Sequence, residues 1–170
     1  MSAVLARWNS LPSQQAAAEV LPCCGSATWA ENMAAKRPIT DETALLAACD
    51  QVCANLSEAA WLEAFNSHPR IGETKTAQAN PPRSAAWSRE EQRSVDSQNR
   101  DNMMALMERN RTYEQRFGRT FIICATGKSV PEILENLRQR LQNDDTTEFR
   151  IASEQQRQIA HLRLKKWIAA

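Results

Sequence analysis

Glycine, histidine and tyrosine are scarce in this chain of 170 residues, with four, two and one of them respectively. No phosphate loop, dinucleotide fingerprint, nucleophile elbow or H-E-x-x-H motif is present, so the common phosphate, nicotinamide and zinc-protease chemistries have no carrier here. An excess of one charge is also missing. Lys and Arg number 21 against 20 Asp and Glu, a net charge of +1. That gives no electrostatic reason to expect nucleic acid or an anionic membrane as a partner. No apolar run approaches the ~20 residues a membrane-spanning helix needs. The start, Met1 to Trp8, lacks the long apolar stretch of a secretory signal, and Ile168-Ala169-Ala170 is not a peroxisomal address. The five cysteines contain no C-x-x-C pair and are odd in number. A chain this long can bury a proper core without staples, so reduced thiols in the cytoplasm are the simplest reading.

What is abundant is alanine, glutamine, glutamate, arginine and leucine, all helix formers, with few alternating β-branched runs. The chain reads as all-α and as one domain spanning 1–170, without internal repeats. Helix starts are marked by a capping residue three before a glutamate: Asn55 with Glu58, Ser88 with Glu91, Ser129 with Glu132 and Asp145 with Glu148. Thr40 can cap a helix through Leu45, Leu46 and Cys49, and Ser13 an early one ending near Pro22. A long stretch from Ser88 to Phe117 carries Val95, Met103, Leu106, Met107 and Tyr113, with a kink or break expected along it. Val130, Ile133, Leu134, Leu137 and Leu141 form an i, i+3, i+4, i+7 stripe. The last helix is expected from about Thr146 to Trp167, with Phe149, Ala152, Ile159 and Leu162 inward. One short extended segment, near 119–125, interrupts the helices. A lone strand has no sheet to complete, so its backbone groups need other partners, and a ligand could be one of them.

Chemistry-bearing residues are few. His68-Pro69-Arg70-Ile71-Gly72-Glu73 follows an apolar helical stretch ending in Phe65. An imidazole with a pKa near 6.5 exchanges protons around neutrality, and Pro69 and Gly72 constrain the backbone around it. The bland alternative is a histidine that merely ends a helix. Ser88 and Glu91 have capping-box spacing, which is a structural role. The same free N–H groups also suit an anion. The basic run His161-Leu162-Arg163-Leu164-Lys165-Lys166 suits a helix C-terminus, and Arg163 is an alternative carboxylate partner. Cys49 and Cys53 share a helix face, and with Cys23, Cys24 and His68 they suggest a zinc site on paper. Buried apolar thiols are the simpler account.

With these residues laid out, the chain resembles the OHCU decarboxylases, which act on 2-oxo-4-hydroxy-4-carboxy-5-ureidoimidazoline in urate breakdown. The matching pieces run in order along nearly the whole chain. They are Cys23-Cys24-Gly25-Ser26 with Trp29-Ala30, Phe65 to Glu73, and Trp87-Ser88 with Glu91-Gln92. Phe117-Gly118 with Phe121 to Ala125, Arg140 to Asn143 with Glu148, and Ile159 with Leu162-Arg163-Leu164 complete the set. The resemblance implies an all-α fold peculiar to the family, a homodimer, and no metal or organic cofactor. It implies His68 as catalytic acid, and Glu91, in the substrate-binding Ser-x-x-Glu-Gln segment, as a second catalytic group. Pro69, Ser88, Gln92, the Phe121, Ile122, Ile123, Cys124 and Ala125 backbone, and Arg163 would hold a small-molecule substrate. One departure is visible: Arg119-Thr120 stands where the family often has an aromatic or apolar residue and then proline.

The resemblance implies a carboxy-lyase producing S-allantoin. Loss of CO2 leaves an electron pair that the substrate itself can accept in an enolate-like intermediate, so the protein must orient the carboxylate and deliver a proton to one face. Two alternatives remain open on the sequence. One is a helical protein-interaction module, which predicts an exposed apolar patch. The other is a same-fold enzyme acting on another ureido or imidazolone acid. The segment from Thr74 to Ala86, which contains Asn80-Pro81-Pro82, is a candidate lid. Arg70 and Glu73 carry no role in this reading.

Overall fold

The computed structural model describes residues 2–72, 82–93 and 100–170. The described residues form helices and no strand. In chain order they are α1 (Ala3–Ser10), α2 (Ser13–Cys24), α3 (Ala27–Ala35), α4 (Glu42–Ala54), α5 (Glu58–Asn66), α6 (Pro82–Glu91), α7 (Arg100–Phe117), α8 (Val130–Arg140) and α9 (Asp145–Ala169). No described helix is long and apolar enough to cross a membrane. Glu73, Val95 and most of the candidate lid lie outside the described residues.

The chain forms two compact units. Unit 1 comprises Met1–Ala64 and Gln156–Ala170, and unit 2 comprises Phe65–Gln155. In unit 1, α2 packs on α3 and α3 on α4. Trp8, Trp29, Leu5, Val20, Met33, Leu45 and Leu164 are buried there. Trp8 meets Trp167 edge to face at 5.4 Å between ring centres, and the Trp8 indole N–H donates to the Ala16 carbonyl at 2.8 Å. Four of the five thiols, Cys23, Cys24, Cys49 and Cys53, are buried in this unit, and none of the five cysteines is in a disulfide. Burial pushes the Cys24 thiol up. The neighbouring Cys53 sulfur, 4.0 Å away, and burial do the same to Cys49.

In unit 2, α7 packs on α8. The core collects Ile71, Leu106, Tyr113, Phe121, Ile123, Ala125, Val130, Ile133 and Leu137. The expected apolar stripe of α8 is therefore its core face. Ser129 and Glu132 make the reciprocal capping box their spacing predicts, with Pro131 in the first turn.

Other helix starts shift by a residue or more. Ser57, not Asn55, caps α5, accepting from the Ala60 N–H at 3.3 Å; Asn55 ends α4. Asp41, not Thr40, caps α4, accepting from the Ala44 N–H at 2.8 Å. Asp144, not Asp145, caps α9, accepting from the Thr147 N–H at 2.9 Å. Where polar residues adjoin, the one immediately before the first helical residue takes the cap. Ser13 makes no cap bond, and α2 continues through Pro22 to Cys24. The larger correction concerns Ser88. It lies in the last turn of α6, which begins at Pro82, so it caps no helix. Proline suits a first helical turn because its missing N–H has no partner there. Of the α9 residues expected inward, Ala152 and Ile159 are buried and Phe149 and Leu162 only half-buried, while Ala160, Leu164 and Trp167 are apolar positions buried besides.

Candidate active site

His68 stands two residues past the end of α5, and its N–H donates to the Phe65 carbonyl at 3.2 Å. From there the chain is held at each step. The Arg70 guanidinium meets Glu114 of α7 in a two-pronged ion pair, at 2.5 Å from Nε and 2.7 Å from Nη2. Asn110, one turn earlier on α7, donates from Nδ2 to the Ile71 carbonyl at 3.1 Å. The Gly72 N–H donates to Gln92 Oε1 at 3.1 Å. Gly72 has φ +86°, and a Cβ there would lie 2.8 Å from Met103 Cε and 3.1 Å from Leu106 Cδ2. Glycine is required by its backbone angle and tightly bordered by α7.

The second part of the site is the extended segment predicted near 119–125, and the structure supplies partners for several of its polar groups. Arg140 Nη1 donates to the Ile122 carbonyl at 2.7 Å. Gln155 Oε1 accepts from the Cys124 N–H at 2.9 Å. Lys128 Nζ donates to the Cys124 carbonyl at 2.8 Å. Arg140 also lies 4.6 Å above the Phe121 ring centre and pairs with the fully buried Glu148 at 2.5 Å. Tyr113 O–H, at 2.6 Å, and Asn143 Nδ2, at 2.9 Å, donate to the same carboxylate. Burial raises the Tyr113 phenol, and its bond to Glu148 adds to that. Every polar atom of the Glu148 carboxylate thus has a partner, which a buried charge requires.

Burial raises the Cys124 thiol; Lys128 opposes the rise and Glu91 adds to it. Glu91, at the end of α6, is therefore an electrostatic neighbour of the segment's Cys124. Arg119, at the point of departure from the family pattern, has its guanidinium about 5.3 Å from the Phe117 ring centre and 5.2 Å from that of Phe149. It also bonds Asp145 at 2.7 Å. A flat cation stacked between rings occupies that position.

A model of one protein family, OHCU decarboxylase, matches residues 9–165. The chain belongs to the OHCU decarboxylase family. It is 33% identical over 144 residues to the uric acid degradation bifunctional protein TTL of Arabidopsis thaliana, covering 85% of this chain and 44% of that protein. It is 27% identical over 136 residues to the 2-oxo-4-hydroxy-4-carboxy-5-ureidoimidazoline decarboxylase of Haloferax volcanii, covering 79% of this chain and 77% of that one. A crystal structure of OHCU decarboxylase in the presence of (S)-allantoin superposes with a TM-score of 0.74 at 30% identity, over 89% of this chain and 98% of that chain. The chain spans less than half the length of the bifunctional plant relative, and 27% of a bifunctional relative from Bacillus sp. (strain TB-90).

Among the residues expected to serve an OHCU decarboxylase, His68, Pro69, Ser88, Glu91, Gln92 and Phe121 to Ala125 all belong to unit 2, whereas Arg163 belongs to unit 1. Ser88 and the 121–125 side chains are buried, while His68, Pro69, Glu91 and Gln92 are half-buried. Gln92 has a use inside the protein, holding Gly72. Arg163 is 2% exposed, and its Nη1 donates to the Pro22 carbonyl at 3.1 Å. Glu114, Asn110, Lys128 and Gln155 carry no expectation from the sequence, and Arg140 lies in a matching piece of the family pattern without a role there. One signal was available for two of them. Asn110 and Glu114 are polar residues beside Leu106 and Tyr113 on the apolar stripe of α7, where an unexplained polar group implies a buried partner.

No described group of three His, Cys, Asp or Glu side chains is arranged to hold a metal ion. The second histidine, His161, lies with Nε2 2.8 Å from Asp50 Oδ1, and Arg157 Nη1 donates to the same oxygen at 2.7 Å. A groove of about 510 Å³ opens in unit 1, lined by α2 and α3 alanines such as Ala17, Ala18, Ala30 and Ala34, and holds none of the expected site residues.

Proposed function

We propose that this protein decarboxylates 2-oxo-4-hydroxy-4-carboxy-5-ureidoimidazoline to S-allantoin in urate degradation, without a cofactor and with His68 as proton donor. The observation that carries the reading is the family match running from residue 9 to residue 165. That single span through both units also supports treating 1–170 as one functional domain. The firmly held His68 segment supplies the chemistry.

The substrate's own bonds set the requirements. Carbon 4 bears a hydroxyl and a carboxylate and is saturated, and carbon 2 carries an oxo group, so the ring double bond joins carbon 5 to nitrogen. When the bond from carbon 4 to the carboxylate breaks, its electron pair forms a carbon 4–carbon 5 double bond. The displaced imine pair goes to the ring nitrogen, which takes a proton. The resulting enol loses its hydroxyl proton as carbon 5 gains one, giving allantoin. Delivery to one face of carbon 5 fixes the hand. In this reading His68 gives that proton. Glu91 accepts bonds from the hydroxyl or ureido N–H groups. Ser88, Gln92, Pro69 and the backbone of 121–125 shape the site, and Arg163 holds an anionic group.

The test generates the unstable substrate in a cuvette with urate oxidase and 5-hydroxyisourate hydrolase and follows S-allantoin by circular dichroism. The parent protein accelerates its formation. His68→Asn removes most of that acceleration, on the order of 10²–10⁴-fold for a lost general acid. A variant that kept the parent rate and handedness would sink the assignment of His68. No acceleration by the parent would sink the substrate and favour another ureido or imidazolone acid. We also read the protein as a cytoplasmic homodimer, supported for the compartment by five buried thiols, none of them in a disulfide. Sedimentation at twice the 19.1 kDa chain mass is the expected outcome for the dimer.

A further inference from the structure

We propose that Arg70 and Glu114 are a positioning pair for the reaction, fixing the His68 imidazole through the stiff dipeptide that joins it to Arg70. The inference rests on the reading of His68 as proton donor. Between His68 and Arg70 stands only Pro69, whose ring fixes φ and restricts the residue before it. A displacement of Arg70 is therefore passed on to His68 rather than absorbed. Arg70 is tied to α7 by both prongs of its guanidinium at 2.5 and 2.7 Å, a planar geometry that sets direction as well as distance. Asn110, four residues before Glu114 on the same face of α7, holds the next carbonyl, that of Ile71, at 3.1 Å. The two side chains act as parallel struts from one rigid helix to the histidine segment.

The exposure of the pair separates positioning from stability. The Arg70 side chain is 41% exposed and that of Glu114 23%. Ion pairs this open to water contribute little to folding. A proton donor, by contrast, is sensitive to displacements of about 1 Å, which cost on the order of 100-fold in rate. The pair should therefore matter far more to turnover than to melting temperature.

The experiment compares Arg70→Met, Glu114→Gln and the charge swap R70E/E114R with the parent and with Arg138→Gln, a control that breaks an exposed pair with Glu135 on α8. Three readouts are taken: kcat and KM in the coupled assay, the handedness of the allantoin, and the His68 imidazole signals by nitrogen–proton NMR. The chain has two histidines, so His68→Asn assigns those signals directly. Both single variants should lower kcat by roughly 10- to 100-fold with KM and melting temperature little changed, and should move the His68 signals. Arg70→Lys, which keeps the charge but loses the fork, should recover only part of the rate, and the charge swap should recover more than either single variant. The control should match the parent. If Arg70→Met fails to fold, Glu114→Gln, which keeps shape and loses charge, decides the matter. Parent-like kcat with unmoved His68 signals overturns the pair's role, while a loss of activity in His68→Asn alone leaves the reading of His68 intact. If His68→Asn itself is fully active, the proton-donor reading fails, and movement of the His68 signals alone decides whether the pair positions the ring.

Discussion

At the scale of single residues, the histidine segment combines one reactive group with neighbours that have lost their freedom. Gly72 is the sharpest case. Its φ of +86° suits glycine, and a left-handed non-glycine residue costs roughly 1–2 kcal/mol. Met103 Cε, the nearest atom to an added Cβ, is the end of a flexible side chain and can move aside. Gly72→Ala should therefore lower stability by about 1–2 kcal/mol in urea unfolding, and an unchanged midpoint would refute the backbone argument. Turnover should fall as well, because Gly72 is bonded to Gln92. The sequence made His68 visible because histidine is rare here and sits between a helix end and a proline. Arg70 stayed without a role because its partner Glu114 lies 44 residues away, and no local spacing rule reaches that far.

At the scale of elements, helices were legible from apolar periodicity, while of their starts the capping box of Ser129 and Glu132 was legible and several others were not. Asp144 and Asp145, Thr40 and Asp41, and Asn55 and Ser57 each offer neighbouring capping groups, and only the backbone of the finished fold selects one. Ser88 shows the opposite failure, since good capping-box spacing occurs inside a helix that Pro82 had already begun. The selected caps carry a pH signature. The Thr147 N–H, with its hydroxyl, holds the Asp144 carboxyl below its ordinary range, as the Ala44 N–H and Thr40 hydroxyl do for Asp41. A carboxyl lowered in the folded state stabilises fully above its unfolded pKa of about 4 and loses that contribution as pH falls through the folded value. Asp144→Asn keeps a capping oxygen that cannot titrate, so its melting temperature should fall less steeply than the parent's below about pH 4. The extended segment was expected to need outside partners. It finds them in Gln155 and Lys128, ordinary helix and loop residues by pattern, and in Arg140, which stands in a family-matching piece that says nothing of its partner. Arg140 is tied further to Glu148. Glu148→Ala should cost about 3–5 kcal/mol by leaving that arginine buried and unpaired, and the paired change R140M/E148L should cost less. Chemical denaturation of the single and double variants separates the two outcomes.

At the scale of the whole molecule, composition excluded much before any element was placed. A near-balanced charge, no long apolar run and few glycines left an all-α enzyme or a helical binding module. What composition could not supply was a division into two units, because a unit is defined by long-range contacts that leave no periodic trace in the sequence. Near-neutrality also has a consequence for handling. With a pI near 7.6, the chain carries little net charge at neutral pH, and solubility should be lowest there and rise on either side. The burial of all five thiols gives the protein a surface blank to thiol reagents. A cysteine placed at Met104, which is 62% exposed on α7, would be the one fast-reacting thiol on the native protein. A dye or spin label there would sit on the same helix that carries Asn110 and Glu114. The protein thus comes ready for attachment of a single probe to the helix that braces its histidine, with no native cysteine to remove first.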